Sequence, residues 1–293
     1  MISVKPKRAV KYLNLISETA RGLGIRLYAV GGCVRDWAIG LESQDADFLT
    51  VDEAAPLAEA LKEKLGGGFT VFREFRTVRY FTSDGTRIDI AGSRKENYPK
   101  AAALPVVAPA YSVEEDLGRR DFSCNSMAVR LDDGSFALTD PYGGLEDVKA
   151  GIISVLHENS FKDDPTRIYR GARFAGRFGW GFGASTKILA EKAVGERYPA
   201  LLSRQRLRNE LIKLLKEKKP YGSFRLLKEL GALDFIYPGT VFSESTFENG
   251  DYLARLGKLA AACGDSENFV KSLFLSRKDS RLVLEAAGIK DKI

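Results

Sequence analysis

An α+β fold is predicted for this chain of 293 residues: a mixed sheet backed by helices over residues 1–156, followed by an all-α half. Three observations predict it. Runs that alternate in the strand manner stop near residue 140, helical periods take over after about residue 160, and the charge balance changes sign between the halves. The length exceeds the usual single-domain size, so two or three units with cores of their own are expected, bounded at 1–156, 157–219 and 220–293.

The elements of the first half follow in order. "LYAV" (27–30) reads as a strand, Gly31-Gly32 as a turn into a short helix, and "FLTV" (48–51) as a second strand. A periodic helix is expected from Ala54 to Leu65. "GGGFTVF", "TVRYFTSDG" and "TRIDIAG" alternate as strands, with Asp84-Gly85 as a hairpin turn. "SMAVRLDDGSFALTD" (126–140) is another hairpin around Asp133-Gly134, and "DPYGGLEDV" closes the unit. In the second half helical periods cover 164–178, 184–194, 204–218, 220–230, 251–263 and 267–287.

Composition excludes several kinds of chemistry. Cys33, Cys124 and Cys263 fit no CxxC spacing, which argues against zinc and disulfide frameworks and for a reducing compartment. His157 is the only histidine, so a His-rich metal site is out of reach. No apolar run approaches the roughly 20 residues needed to span a bilayer, and the N-terminus lacks the apolar core of a secretory signal, so a cytoplasmic protein without membrane contact is expected. No obligate protein partner is evident. Residues 1–150 carry 20 Lys+Arg against 22 Asp+Glu, and residues 151–293 carry 25 against 17. That division suits an enzyme that holds cations in front and a polyanion behind.

Asp45 and Asp47 are two apart, so on a strand both point to one face. Paired carboxylates repel unless a cation lies between them, and Mg²⁺ is the natural one because it prefers oxygen ligands and substrate phosphates. Asp89 in "RIDIAG" lies on another strand of the same sheet and could complete a two-metal site. A lone Asp-x-Asp is more often a solvated strand edge. Gly31 and Gly32 let the backbone approach a phosphate, and Arg35 supplies a cation one turn later. No GxxxxGK[ST] is present, so this is not a P-loop. A strand, Gly-Gly, a helix bearing Arg-Asp, then Asp-x-Asp on the next strand is the layout of a nucleotidyltransferase palm.

Over about residues 20–235 the sequence resembles the class II tRNA nucleotidyltransferase and bacterial poly(A) polymerase family. "GGCVRDWAIGLESQDADF" looks like its first motif, which implies metal binding by Asp45 and Asp47 and triphosphate binding by Gly31, Gly32 and Arg35. "RRDFSCNSMA" is similar to the second, implying that Arg120, Asp121 and Asn125 meet the nucleotide. "DPYGGLEDV" resembles the third, a hinge between head and neck. "DDPTRIYRGARFAGRFGW" resembles the fourth, in which an Asp and an Arg read the incoming base, here Asp164 and Arg167. The fourth motif opens with Asp163 and the fifth has Gln205, where the family's usual residue is Glu in both cases. Arg94 and Glu96 fall where the family has a mobile loop linked to adding the final A.

Base reading also has a physical basis. Residues three apart are neighbours on a helix, so Asp164 and Arg167 can present an acceptor beside donors. Cytosine and adenine share an amino donor next to a ring-nitrogen acceptor, whereas uracil and guanine reverse that order. The bland alternative is an i,i+3 surface salt bridge. Arg170, Arg173 and Arg177 continue at helical spacing, and Arg204, Arg206 and Arg208 open a later helix. Arg170 and Arg173 are expected at the nucleotide and Arg177, Arg206 and Arg208 at RNA, with other cations merely solvated. Phe174, Phe178 and Trp180 read as core.

The implied activity is template-independent addition of CCA, or part of it, to the tRNA 3′ end from CTP and ATP with Mg²⁺. The alternatives are a dedicated A-adding enzyme, a poly(A) polymerase (which in this family usually carries a long basic C-terminal extension not seen here), and a non-catalytic RNA-binding protein on a decayed palm. Intact carboxylates argue against the last.

Overall fold

The computed structural model describes residues 2–7, 10–42 and 46–289, and the chain divides into two compact units. The first comprises Met1–Pro99, Leu104–Ala150 and Ser154–Leu156; the second comprises Lys100–Ala103, Gly151–Ile153 and His157–Ile293.

In the first unit, in chain order, lie α1 (Leu13–Gly22), β1 (Leu27–Val30), α2 (Gly32–Ala38), β2 (Asp47–Thr50), α3 (Ala55–Leu65), β3 (Gly68–Phe72), β4 (Thr77–Phe81), β5 (Arg87–Gly92), β6 (Arg94–Asn97), β7 (Val106–Pro109), α4 (Val113–Leu117), β8 (Ala128–Arg130), β9 (Leu138–Thr139) and α5 (Gly144–Ala150). Among the described residues the main sheet has seven strands in the order β3-β4-β5-β2-β1-β8-β9. It is mixed because β2 and β5 run parallel, with Phe48 opposite Ile90, while the other neighbours are antiparallel. Period-2 alternation puts Tyr28, Val30, Leu49, Val51 and Ala128 on one face, where Val113 and Leu117 of α4 cover them. Asp47, the first residue of β2, and Asp89, the third of β5, share that face on neighbouring parallel strands. On the opposite face α3 packs on β3, β4 and α1.

The strand pattern read from sequence fits this sheet, including both Asp-Gly hairpins. The β6–β7 hairpin, α1 and the short α4 and α5 have no counterpart in that reading. The third motif has a packing reason: both carboxylate oxygens of Asp140 cap α5, accepting from the amides of Gly144 (2.7 Å) and Leu145 (2.9 Å). A Cβ on Gly144 would run into the carbonyl of Ser123, and the Ser123 hydroxyl donates to Asp147.

The second unit is helical: a two-residue parallel pairing of β10 (Ile152–Ile153) with β11 (Gly181–Phe182), and α6 (Ser160–Asp163), α7 (Thr166–Phe178), α8 (Ala184–Gly195), α9 (Arg204–Leu215), α10 (Tyr221–Glu229), α11 (Tyr252–Ala262), α12 (Ser266–Ser272) and α13 (Arg277–Ala286). The continuous helix expected over 267–287 is therefore two helices. Ser276 interrupts it, its hydroxyl accepting from the Asp279 amide at 3.1 Å as an N-cap. Among the described residues no helix is long and apolar enough to cross a membrane.

At the crossing of α7 and α10, a Cβ on Gly176 would strike the Ser223 hydroxyl and lie 2.8 Å from its amide nitrogen. Gly→Ala in an open helix interior stabilises by about 1 kcal/mol. Here overpacking against a backbone atom costs about 1–3 kcal/mol and reverses that sign. Gly176→Ala is expected to lower the urea midpoint at unchanged slope; a raised midpoint would show that the crossing yields.

Candidate active site

The glycine turn begins where the fully buried β1 ends. Gly31 has φ 77°, in the left-handed region that favours glycine, and a Cβ there would sit 2.9 Å from Arg120 Nη1 and displace the end of that side chain. Its amide donates to the Met127 carbonyl at 3.2 Å, which ties the turn to the second motif. α2, entered at Gly32, is only seven residues long. Arg35 does not stand out from it as an exposed cation. It is buried beneath Gly32, donating through Nη1 to Asn125 Oδ1 at 2.6 Å and through Nε and Nη2 to Asp36. Asn125 in turn donates to Asp121 Oδ1 at 3.0 Å, which also accepts the Phe122 amide. Arg35, Asp121 and Asn125 thus form one buried network under the turn, and fixed orientation is what such a network supplies.

Arg120 reaches the turn from the other side. Its Nε and Nη2 donate to Asp116, leaving Nη1 facing Gly31. Asp116 is fully buried and also pairs with Arg119, which bonds Glu96; Glu96 pairs with Arg94. Burial works to raise the Asp116 pKa, but Arg120 and Arg119 outweigh it and hold the carboxyl below its ordinary range. Arg94 and Glu96 thus lie on β6, paired with β7, and within an ion network.

Asp47 is exposed at the start of β2, and with Asp89, Lys11, Thr86 and Arg87 it lines a cavity of about 560 Å³. Asp45 lies outside the described residues. Asp89 is compensated from two sides, by Arg79 Nε at 2.9 Å and Arg87 Nη2 at 3.1 Å. Among the described residues no three His, Cys, Asp or Glu side chains cluster as a metal site. Burial pushes the thiols of Cys33 and Cys124 up to about 12, which removes both as nucleophiles. Burial and the charge of Arg167 lower the pKa of His157, so the only histidine is neutral at pH 7.

In the helical unit Asp164 precedes α7 instead of lying on it, because Pro165 follows it and the backbone there is extended. Its Oδ1 accepts from the Thr166 amide (3.0 Å), the Thr166 hydroxyl (2.7 Å) and Arg206 Nη2 (2.6 Å). Its Oδ2 has no hydrogen-bond donor among the described residues, and the side chain is 22% exposed. Arg167 is buried, donating through its side chain to Ser160 Oγ at 2.6 Å and through its amide to the Asp164 carbonyl at 3.0 Å, while the Asp164 carboxylate takes Arg206 as its ion-pair partner. Arg206 also donates to the Ala102 carbonyl at 2.8 Å. Arg173 and Arg177 share Glu217, and with Arg170 they surround the Phe174 ring at 4.5–5.9 Å. Arg208 donates to the carbonyls of Leu273 and Phe274, and Arg204 to those of Phe235 and Ile236. Gln205 is exposed, while Glu210 is buried with Lys213 on one oxygen.

Sequence reasoning missed Asp116, Glu217 and the pair Arg79–Arg87. Asp116 had a local signal: in "EEDLGRR" it stands three and four residues before two arginines, the spacing at which helical neighbours meet.

A mixed sheet that presents a glycine turn, an arginine over it and aspartates on the adjoining strands is a nucleotidyltransferase head. Residues 27–154 match the model described as the poly(A) polymerase head domain, and residues 200–242 match one described as a probable RNA and SrmB-binding site of polymerase A. The A-adding tRNA nucleotidyltransferase of Halalkalibacterium halodurans is 35% identical over 250 residues, covering 84% of this chain and 57% of that protein. The multifunctional CCA protein of Chromobacterium violaceum is 36% identical over 251 residues, covering 82% and 59%. An apo structure of a CCA-adding enzyme superposes with a TM-score of 0.81 at 30% identity, covering 98% of this chain and 74% of that one. The Thermotoga maritima CCA-adding enzyme complexed with tRNA gives 0.76 at 29%, covering 98% and 73%. The chain belongs to the class II tRNA nucleotidyltransferase and bacterial poly(A) polymerase family. It spans less than three fifths of the length of the two sequence relatives just described.

Proposed function

We propose that this protein adds nucleotides to the 3′ end of tRNA, building CCA or its terminal part from CTP and ATP in the cytoplasm. The observation that carries the reading is the Gly31 turn, with Arg120 Nη1 directed at it and the Arg35–Asn125–Asp121 network beneath it. Backbone without side chains, beside a guanidinium with a donor to spare, is a seat for phosphate oxygens.

The donor set of the cavity suits Mg²⁺, since it offers carboxylate oxygens and no sulfur or imidazole. Asp47 and Asp45 would hold the ion, because a cation at Asp89 would have to displace Arg79 and Arg87. When bound, Mg²⁺ neutralises phosphate charge and acidifies the attacking 3′-hydroxyl. Asp89 then acts by keeping Arg87 at the cavity wall. In the helical unit, Asp164 Oδ2 is the acceptor left for the amino group of cytosine or adenine. Arg206 and Arg208 each already donate to protein acceptors and so serve the fold more than RNA, and the exposed charges of residues 220–293 are the better candidates for tRNA contact.

A second reading, addition of the terminal A alone, is favoured by relatives bearing that name in Halalkalibacterium halodurans at 35% identity and Aquifex aeolicus at 37%. Extension of tRNA lacking CCA, ending in C, or ending in CC, with each triphosphate supplied separately, decides between them. CTP incorporation is expected on the first two substrates and ATP on the third. ATP incorporation on the third alone would establish the A-adding reading, and no incorporation on any would leave an RNA-binding protein.

A further inference from the structure

We propose that Asp116 is a positioning residue for nucleotide transfer, which acts by fixing the Arg120 guanidinium so that Nη1 faces the Gly31 turn. The proposal rests on reading that turn as the triphosphate seat. Asp116 lies on α4, which Val113 and Leu117 anchor in the core of the sheet, so its carboxylate has a fixed origin. Each of its oxygens is gripped by a different arginine. Oδ2 accepts Arg120 Nε (3.3 Å) and Nη2 (2.8 Å); Oδ1 accepts Arg119 Nε (3.0 Å) and Nη2 (2.9 Å) together with the Arg94 amide (3.2 Å).

A two-point fork fixes the plane of a guanidinium, and fixing the plane fixes where the remaining nitrogen lies. For Arg120 that nitrogen is Nη1, 2.9 Å from the place a Gly31 Cβ would occupy and without an acceptor among the described residues. Neutralisation alone would need one arginine. Here Arg94, Arg119 and Arg120 face Asp116 and Glu96, so three cations meet two anions and one positive charge stays in excess. The excess is available at Arg120 because Arg94 and Arg119 are both committed to Glu96. A buried ion cluster is weak as a source of stability, since apolar residues of the same volume often do as well. Orientation is what it provides here.

The test compares binding of ATP and CTP, each with Mg²⁺ and without tRNA, in the parent, Asp116→Asn, Arg120→Lys, Arg120→Ala and the double variant Asp116→Asn/Arg120→Ala, with thermal melting of each. Asp116→Asn removes the charge and half the acceptors; Arg120→Lys keeps the charge but cannot make a fork and a third contact together. Both are expected to weaken the two triphosphates roughly tenfold or more, appearing in steady state as a raised KM more than a lowered kcat, with tRNA affinity unchanged. In the Arg120→Ala background the Asp116→Asn change is expected to have no further effect. A further loss there, or parent-like affinity in a folded Asp116→Asn or Arg120→Lys protein, overturns the proposal. Should Asp116→Asn fail to fold, Arg120→Lys and Asp116→Glu, which retains the charge but displaces the fork, carry the same expectation. A parent that binds neither triphosphate would refute the reading of the turn itself, whereas a binding parent with indifferent variants refutes only the role of Asp116.

Discussion

Asp47→Ala is expected to reduce nucleotide transfer by on the order of a thousandfold or more while melting within a few degrees of the parent. The two halves of this expectation have separate causes. Asp47 sits at the first position of β2, opposite Val30, and its side chain is exposed, so truncation leaves the backbone pairing and the covered face around Leu49 in place. Removing one of two neighbouring carboxylates also relieves repulsion, which favours the fold. Loss of transfer follows because Asp89 cannot substitute: both its oxygens are engaged by Arg79 and Arg87. Extension, melting and Mn²⁺ binding measured on the same preparation check this. Near-normal extension by a folded Asp47→Ala protein would sink the metal assignment, and intact Mn²⁺ affinity would move the ion elsewhere.

The comparison of Asp47 with Asp89 shows what sequence could and could not disclose. Both are acidic residues on strands of one sheet, and the parallel register of β2 with β5 sets them side by side on one face. The distinction between them lies in partners, and Arg79 comes from the other arm of the Asp84-Gly85 hairpin, at a register that strand periodicity alone does not state. The same limit recurs throughout the site. The glycine turn was legible because Gly31 and Gly32 interrupt a strand-to-helix passage, and such a passage leaves its signature in adjacent residues. Arg206 meets Asp164 across 42 positions and Arg177 meets Glu217 across 40, so periodicity could place each arginine on a helix without saying that it was already engaged. Short elements failed for a different reason. α4 has five residues, less than two helical turns, and makes no recognisable period. In the C-terminal region apolar spacing continues through Leu273 and Phe274, and only the hydroxyl of Ser276 marks the break.

The partner that the sequence could not supply also sharpens the expectation for base reading. Asp164→Ala is expected to lose discrimination against UTP and GTP by roughly ten- to a hundredfold in relative incorporation, the scale of about 1–3 kcal/mol for one base-edge contact. The carboxylate rejects those bases because their carbonyl oxygens would face a like-charged acceptor, and alanine removes that repulsion. Only Oδ2 can act this way, since Oδ1 is already saturated by Thr166 and Arg206. Truncation therefore has a second effect: Arg206 loses its anion and the first turn of α7 loses its cap, costing about 1–2 kcal/mol of stability. Asp164→Asn separates the two. Its amide oxygen can take the place of Oδ1 at Thr166, leaving its NH₂ where Oδ2 stood. Such a group donates to the carbonyls of uracil and guanine and opposes the amino groups of cytosine and adenine. Asp164→Asn is thus expected to invert preference where Asp164→Ala merely flattens it, at smaller cost to stability. Arg167→Ala tests the complementary position and should weaken CTP and ATP alike, although its buried bond to Ser160 makes part of that loss structural. Steady-state incorporation of the four triphosphates by the three variants settles the matter. If Asp164→Ala and Asp164→Asn both reject UTP and GTP as firmly as the parent, Asp164 is a helix cap with an arginine partner and the base is read elsewhere.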